Sequence, residues 1–134
     1  MILGFTGTRK GMTPEQKLRF LDLIHALQPT EFHHGDCIGA DVEAHDRVKV
    51  HLPKCHIVIH PPINKIYRAF RTGYTSRIPR PYFERNRDIV DASDHVIAAS
   101  GSRIPLIRGG TWYTIRYALK KVTILWPDGS ISKR

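Results

Sequence analysis

Three glycine-bearing segments concentrate the residues that could do chemistry: Gly4-Phe-Thr-Gly-Thr-Arg-Lys-Gly11, Gly35-Asp-Cys-Ile-Gly-Ala-Asp41 and Gly109-Gly-Thr-Trp-Tyr-Thr114. Glycine lets a backbone come close to a phosphate, and a helix N-terminus offers unpaired N–H groups and the positive end of its dipole to an anion. Gly7, Thr8 and Arg9 in the first segment, Gly35 and Gly39 in the second, and Gly109, Gly110, Thr111 and Thr114 in the third are therefore candidate ligand-binding residues. Thr111 and Thr114 stand one helical turn apart, so two hydroxyls and several amides would face one anionic group; helix capping accounts for the same residues. Asp36 and Asp41 flank the second loop as candidate catalytic carboxylates. Either would hold ribose hydroxyls or polarise a water for attack on a glycosidic carbon, or else cap the adjoining turn.

Other reactive side chains point less sharply. His33, His34, Asp36, Cys37 and His45 are of metal-ligating type, but adjacent strand residues face opposite ways and neither Cys-x-x-Cys nor His-Glu-x-x-His occurs. No metal and no cofactor is expected. Cys37 has the chemistry of a nucleophile, although a lone cysteine in a tight loop is ordinarily inert. Glu84 is the remaining acid near the motifs, and no two carboxylates form a recognisable acid–base couple.

The chain has 134 residues, with 21 Lys and Arg against 12 Asp and Glu, a formal charge of +9. Residues 1–60 carry seven basic and seven acidic side chains and residues 61–134 fourteen and five, so the whole excess lies in the second half. Phosphate-bearing partners suit such a bias, and so does a solvated basic face. Much of it falls in the stretch from Pro61 to Arg87, where Lys65, Arg68, Arg71, Arg77, Arg80, Arg85 and Arg87 alternate with Tyr67, Phe70, Tyr74 and Tyr82. Arginine and aromatic rings together would serve a lid over one nucleotide, a groove for single-stranded nucleic acid, or a subunit interface. Two cysteines make no disulfide framework, and neither a secretory leader nor a membrane-length apolar run is visible, so a cytoplasmic protein without membrane association is expected.

The elements that must position these loops alternate in type. Met1–Thr6 reads as a buried strand. Thr13-Pro-Glu-Gln16 starts a helix with a threonine cap, proline at the first helical position and glutamine three residues past the cap. Leu18, Leu21, Ile24 and Leu27 supply its apolar stripe. Strands follow near 31–34, 56–60, 95–99 and 122–126, with helices near 40–51, 83–92 and 110–121, and the tail after Ser130 is expected to be loose. This alternation predicts one α/β domain over residues 1–134, a Rossmann-like parallel sheet of about five strands flanked by helices, with a long basic structureless loop at about 61–82. In such sheets ligands bind at the carboxyl ends of the strands, where all three glycine segments fall.

Gly110-Thr-Trp-Tyr-Thr-Ile-Arg-Tyr-Ala118, preceded by Arg85-Asn-Arg87 and Ser93-Asp-His-Val-Ile-Ala98, resembles the Rossmann-type domain of the DNA-processing protein A family. Gly4-Phe-Thr-Gly-Thr-Arg9 and Gly35 to Asp41 match earlier motifs of the same SLOG superfamily, which also holds the Lonely Guy phosphoribohydrolases and the small YspA-like (DUF2493) bacterial and phage proteins. The resemblance covers nearly the whole chain. It implies a dimer or higher homo-oligomer and a pocket for a nucleotide or phosphoribosyl-type ligand. Gly7, Thr8 and Arg9 would lie under the ligand, Gly35, Gly39 and Asp41 in the second loop, Arg85 and Asn86 beside it, and Gly109, Gly110, Thr111 and Thr114 on its phosphate. The sequence departs from the Lonely Guy pattern where Arg116, Tyr117 and Ala118 replace the stretch bearing its catalytic glutamate, and it lacks the further domains of DNA-processing protein A. The reading is a domain that binds a nucleotide-derived ligand for sensing, sequestration or hydrolysis. The alternatives are a nucleic-acid-binding module and an N-glycosidic phosphoribohydrolase.

Overall fold

The capping signal at Thr13 sets the first helix. In the computed structural model, which describes residues 1–134, Thr13 Oγ1 accepts from Gln16 N (3.0 Å) while Gln16 Oε1 accepts from Thr13 N (2.9 Å). The reciprocal pair satisfies two amides that helix geometry would otherwise orphan. Gln16 Nε2 then donates to Ser100 O (2.8 Å) and Leu125 O (2.9 Å), tying the helix to the ends of two strands.

The order is β1 (Ile2–Gly7), α1 (Pro14–Leu27), β2 (Glu31–His34), α2 (Ala40–His51), β3 (His56–Ile59), β4 (Thr75–Ser76), α3 (Tyr82–Ala92), β5 (His95–Ala99), α4 (Gly110–Ala118), a short 3-10 turn, β6 (Val122–Leu125) and β7 (Ile131–Lys133). The strands form one sheet in the order β4-β3-β2-β1-β5-β6-β7, parallel except for β7. The chain builds outward from β1 through β2, β3 and β4, then crosses back to lay β5 on the other side of β1. The switch point of an open parallel sheet, where a crevice opens at the carboxyl ends, therefore lies between β1 and β5.

Alternation along the strands divides the core in two. Leu3 and Phe5 of β1 meet Phe20 and Ile24 of α1 and Ala44 and Val48 of α2; Val96 and Ala98 of β5 meet Val90 of α3 and Trp112 and Ile115 of α4. Phe5, Phe20 and Phe32 pack ring against ring, at centroid distances of 5.4 to 6.0 Å. No helix is long and apolar enough to cross a membrane.

Several expectations are corrected. The sheet has seven strands rather than about five. Thr75–Ser76 is too short and too polar for any period-2 signal and pairs only through its backbone, so β4 lies hidden in the basic stretch. The tail is no loose end, because Ile131–Lys133 returns antiparallel along β6. The last helix stops at Ala118, with Leu119 at a positive φ of 53°. The buried face of α1 runs through Gln16, Phe20 and Ile24, leaving Leu18 68% exposed.

The stretch from 61 to 82 is not structureless. Its backbone is sewn to β3 by Tyr74 N to Ile57 O and Arg77 N to Ile59 O (both 2.8 Å), and to the second glycine loop by Ile38 N to Tyr67 O (2.8 Å) and Ala69 N to Asp36 O (2.7 Å).

Candidate functional site

The first and second glycine loops are joined at the switch point. Thr8 N donates to Ala99 O (3.2 Å), and Thr8 O accepts from Ala40 N (3.0 Å), so a carbonyl of the first loop satisfies an opening amide of α2. Gly39 has φ 89°, and a Cβ there would run into the Arg9 backbone, so only glycine lets the loops close on each other.

A cleft of about 490 Å³ opens above this junction, bounded by Arg9, Cys37, Tyr67, Tyr82, Gly110 and the Pro62–Asn64 segment. The Arg9 guanidinium lies 3.9 Å from the centre of the Tyr67 ring, a cation–π contact that fixes both. Tyr82, the first residue of α3, forms another wall. Its ring covers Gly110, where a Cβ would come within 2.6 Å of Tyr82 Cε1. Gly109, at φ 105°, has open space where a Cβ would stand, and no side chain caps the start of α4. Uncapped helix amides and the dipole therefore meet the cleft at Gly110.

Beneath it lie Asp41, Cys37 and Arg85. Asp41 is 5% exposed; its Oδ2 accepts from Cys37 N (3.2 Å), and its Oδ1 has no hydrogen-bond partner. Burial pushes the carboxyl up to about 6 despite the attraction of Arg85. Such a group gives or takes a proton near neutrality. Burial also raises the Cys37 thiol, which disfavours the thiolate and keeps the sulfur a poor nucleophile. Arg85 is 2% exposed and donates through Nη1 to Gly35 O and to His60 O (3.1 Å), while Nη2 lies 3.6 Å from Cys37 Sγ.

Gly7 ends β1 and Thr8 Oγ1 accepts from Lys10 N (3.2 Å). Gly35 packs on the Arg85 guanidinium. Asn86 is buried on α3, one turn after Tyr82. Asp36 is fully buried and committed elsewhere: Oδ2 accepts from Arg68 Nε (3.1 Å) and Oδ1 from Arg71 N (3.0 Å), so its carboxylate fastens the basic segment. Thr111 is half-buried in the first turn of α4, whereas the Thr114 hydroxyl donates to Gly110 O (2.8 Å) inside its own helix. Trp112 packs in the core beside Trp126, and Tyr113 packs against Phe83.

The histidines pair across opposite faces of the sheet. Asp36 N donates to His34 Nδ1 (2.9 Å), which leaves His34 Nε2 to donate to His45 Nδ1 (2.9 Å). On the other face His33 bonds Glu31 (2.9 Å) and His60 (2.8 Å). Burial lowers all four imidazoles, His60 to about 3, so each ring is neutral at pH 7.

Tyr67 and Tyr82 are the wall residues that glycine and charge patterns passed over. Their signal was the interleaving of aromatics with arginine, but which rings would face the cleft depends on how the 61–82 segment docks.

No family model matches the chain, and no curated protein matches it. Among solved structures it is similar to the structural-genomics protein TM1055, with a TM-score of 0.58 and 16% identity over 87% of this chain and 67% of that one. The likeness in fold covers most of the chain, and this chain is a Rossmann-like α/β domain.

Proposed function

We propose that the cleft at the carboxyl ends of β1 and β5 binds a nucleotide-derived ligand. The observation that carries this reading is the meeting, in one cleft, of two tyrosine walls, the Arg9 guanidinium and the uncapped start of α4. A base would stack on Tyr67 or Tyr82, a phosphate would take the amides of Gly110 and Thr111 with Arg9, and Asp41 would serve the ribose side. The resemblance to the SLOG superfamily agrees with this assignment and with sensing, sequestration or hydrolysis as its use. If the ligand is hydrolysed, Asp41 is the group able to move a proton, and release of free base from a nucleoside 5′-monophosphate, lost in Asp41→Asn, would mark N-glycosidic cleavage.

Nucleic-acid binding is favoured by a separate observation: Phe70, Tyr74 and Ile78 stand exposed along the segment that carries Arg68, Arg71 and Arg77. Thermal-shift measurements with AMP, ADP-ribose, cyclic ADP-ribose and a short single-stranded oligonucleotide separate the two. A pocketed ligand should raise the melting temperature, and Tyr67→Ala should weaken its binding by roughly tenfold, the worth of one stacked base. A shift with the oligonucleotide alone would overturn the pocket reading.

A further inference from the structure

A second cleft, of about 500 Å³, lies on the other side of Arg85, between α3 and the segment that follows β4. It is bounded by His60, Arg77, Arg80, Arg85, Asp88 and Asp91. Three guanidinium groups thus border one concave space. Arg80 is partly neutralised, its Nε lying 3.2 Å from Asp88 Oδ2, whereas Arg77 has no carboxylate within ion-pair distance. Arg85 is the most telling. It is 2% exposed, all its acceptors are uncharged groups (Gly35 O, His60 O and Cys37 Sγ), and its Nε–H has none. A buried guanidinium with an unmade hydrogen bond and no contact ion pair is costly, and the Asp41 carboxylate, itself held partly protonated by burial, attracts it only through space; an anion brought beside it therefore gains more than at an ordinary surface arginine.

The histidine pair behind it supplies a complementary feature. Glu31 accepts from His33 Nε2–H, so His33 Nδ1 is an acceptor and His60 Nε2 must be the donor between the rings. His60 Nδ1 then carries a lone pair rather than a proton. The cleft accordingly presents cationic donors from Arg77 and Arg85 together with acceptors: His60 Nδ1, and the second oxygens of Asp88, whose Oδ2 pairs with Arg80, and of Asp91, whose Oδ1 accepts from Tyr117 OH (2.7 Å). A bare anion would use the first set only. A phosphate ester that also bears hydroxyl groups would use both, giving its hydroxyl protons to the imidazole and the carboxylates.

We propose that this cleft is a second ligand site, independent of the nucleotide cleft, for a small phosphate monoester of a polyhydroxylated compound, with Arg77 and Arg85 on the phosphate and His60, Asp88 and Asp91 on the hydroxyls. The two sites share Arg85 as a partition: its Nη2 faces Cys37 in the first, and the same residue borders the second.

Glucose 6-phosphate, glucose and inorganic phosphate, titrated by calorimetry at constant ionic strength, test it. Glucose 6-phosphate should bind more tightly than inorganic phosphate, and glucose should not bind measurably. Arg77→Gln alters an exposed side chain, so the fold should survive. It should weaken glucose 6-phosphate roughly tenfold or more, the worth of a charged hydrogen bond, while leaving nucleotide binding unchanged. Tyr67→Ala should do the reverse. In a ¹⁵N spectrum the Arg85 Nε–H resonance should move on adding glucose 6-phosphate. Equal affinity of Arg77→Gln and the unaltered protein, or loss of glucose 6-phosphate binding in Tyr67→Ala, would overturn the proposal. Because each cleft has its own variant and probe, failure of the nucleotide reading leaves this test intact.

Discussion

Asp41 stands at the start of α2 with one oxygen on Cys37 N and the other without a donor, in a site where burial outweighs the pull of Arg85. Its folded-state value of about 6 lies above the ordinary 3.8, so the native state holds the proton more tightly than the unfolded chain does. The sign follows from linkage: stability is highest while the carboxyl is protonated and falls as pH rises from 3.8 towards about 6. Above that window the ionised group costs about 3 kcal/mol, the equivalent of a shift of roughly two pH units. Asp41→Asn keeps an oxygen for Cys37 N and removes the charge. The variant should therefore melt higher than the unaltered protein at pH 8 and about equally at pH 4. Identical melting curves at both values would mean that water reaches the carboxyl and that it is no proton carrier. With its oxygen kept on Cys37 N, the asparagine turns an NH2 group to the ligand, to which a ribose hydroxyl can still bond as acceptor; affinity should therefore fall only a few-fold if Asp41 merely holds that hydroxyl, and turnover should be abolished if it moves a proton. Carboxylates flanking a glycine loop are legible in the sequence, but their division of labour is not. Asp36 and Asp41 are five positions apart, and only the docking of the basic segment gives Asp36 two donors while leaving Asp41 Oδ1 with none.

The segment from Pro61 to Pro81 is held as an element despite having almost no regular structure, and Asp36 is its main fastening. Arg68 Nε, Arg71 N and Ala69 N all converge on that one residue, which adopts φ 56° to receive them. Removing the carboxylate by Asp36→Ala leaves Arg68 without its ion pair and an amide without an acceptor. The expected loss is about 2–3 kcal/mol, concentrated in the segment because the β-sheet core does not depend on it. Trypsin at low ratio should consequently cut among Lys65, Arg68 and Arg71 much faster in Asp36→Ala, while the circular dichroism of the folded core is retained. Unchanged cleavage would mean that the backbone bonds to β3 hold the segment by themselves. Elements with strong local signals were readable in advance: the Thr13–Gln16 box, the proline at position 14 and the apolar runs of β1, β5 and β6 define their structures locally. The others depend on partners far away in the chain. β4 has two polar residues and exists through backbone pairing with Val58 and Ile59, β7 exists through β6, and the buried face of α1 is set by where β1 and β2 place Phe5 and Phe32. Helical spacing alone allowed Leu18 on that face as readily as Phe20.

At the scale of the whole molecule the question is what the excess of positive charge can still reach. Much of the second half's charge is already spent within the protein. Arg68, Arg71 and Arg80 pair with Asp36, Asp46 and Asp88; Arg85 is buried; Arg116 holds the carbonyls of Leu106 and Ile107; and Lys121 holds those of Val90 and Ser93. These contacts brace α3, α4 and the loop after β5 against one another, so a large part of the basic bias is structural. A polyanion sliding over the surface would find fewer free cations than the composition suggests, whereas a single phosphate in either cleft needs only one or two. Salt dependence reads this difference directly. A ligand that engages two phosphate-binding groups should lose affinity with a log–log slope of about −1 to −2, while a single strand covering six or more would give about −4 or steeper. Measured between 50 and 200 mM salt, AMP or ADP-ribose should follow the shallow line, and an oligonucleotide should bind no more steeply than the mononucleotide if only its end enters the cleft. A steep oligonucleotide slope that falls by about one when Arg77→Gln is introduced would instead make the exposed arginines and aromatics of the 61–82 segment a nucleic-acid track, with the tyrosine-walled cleft as one stop along it.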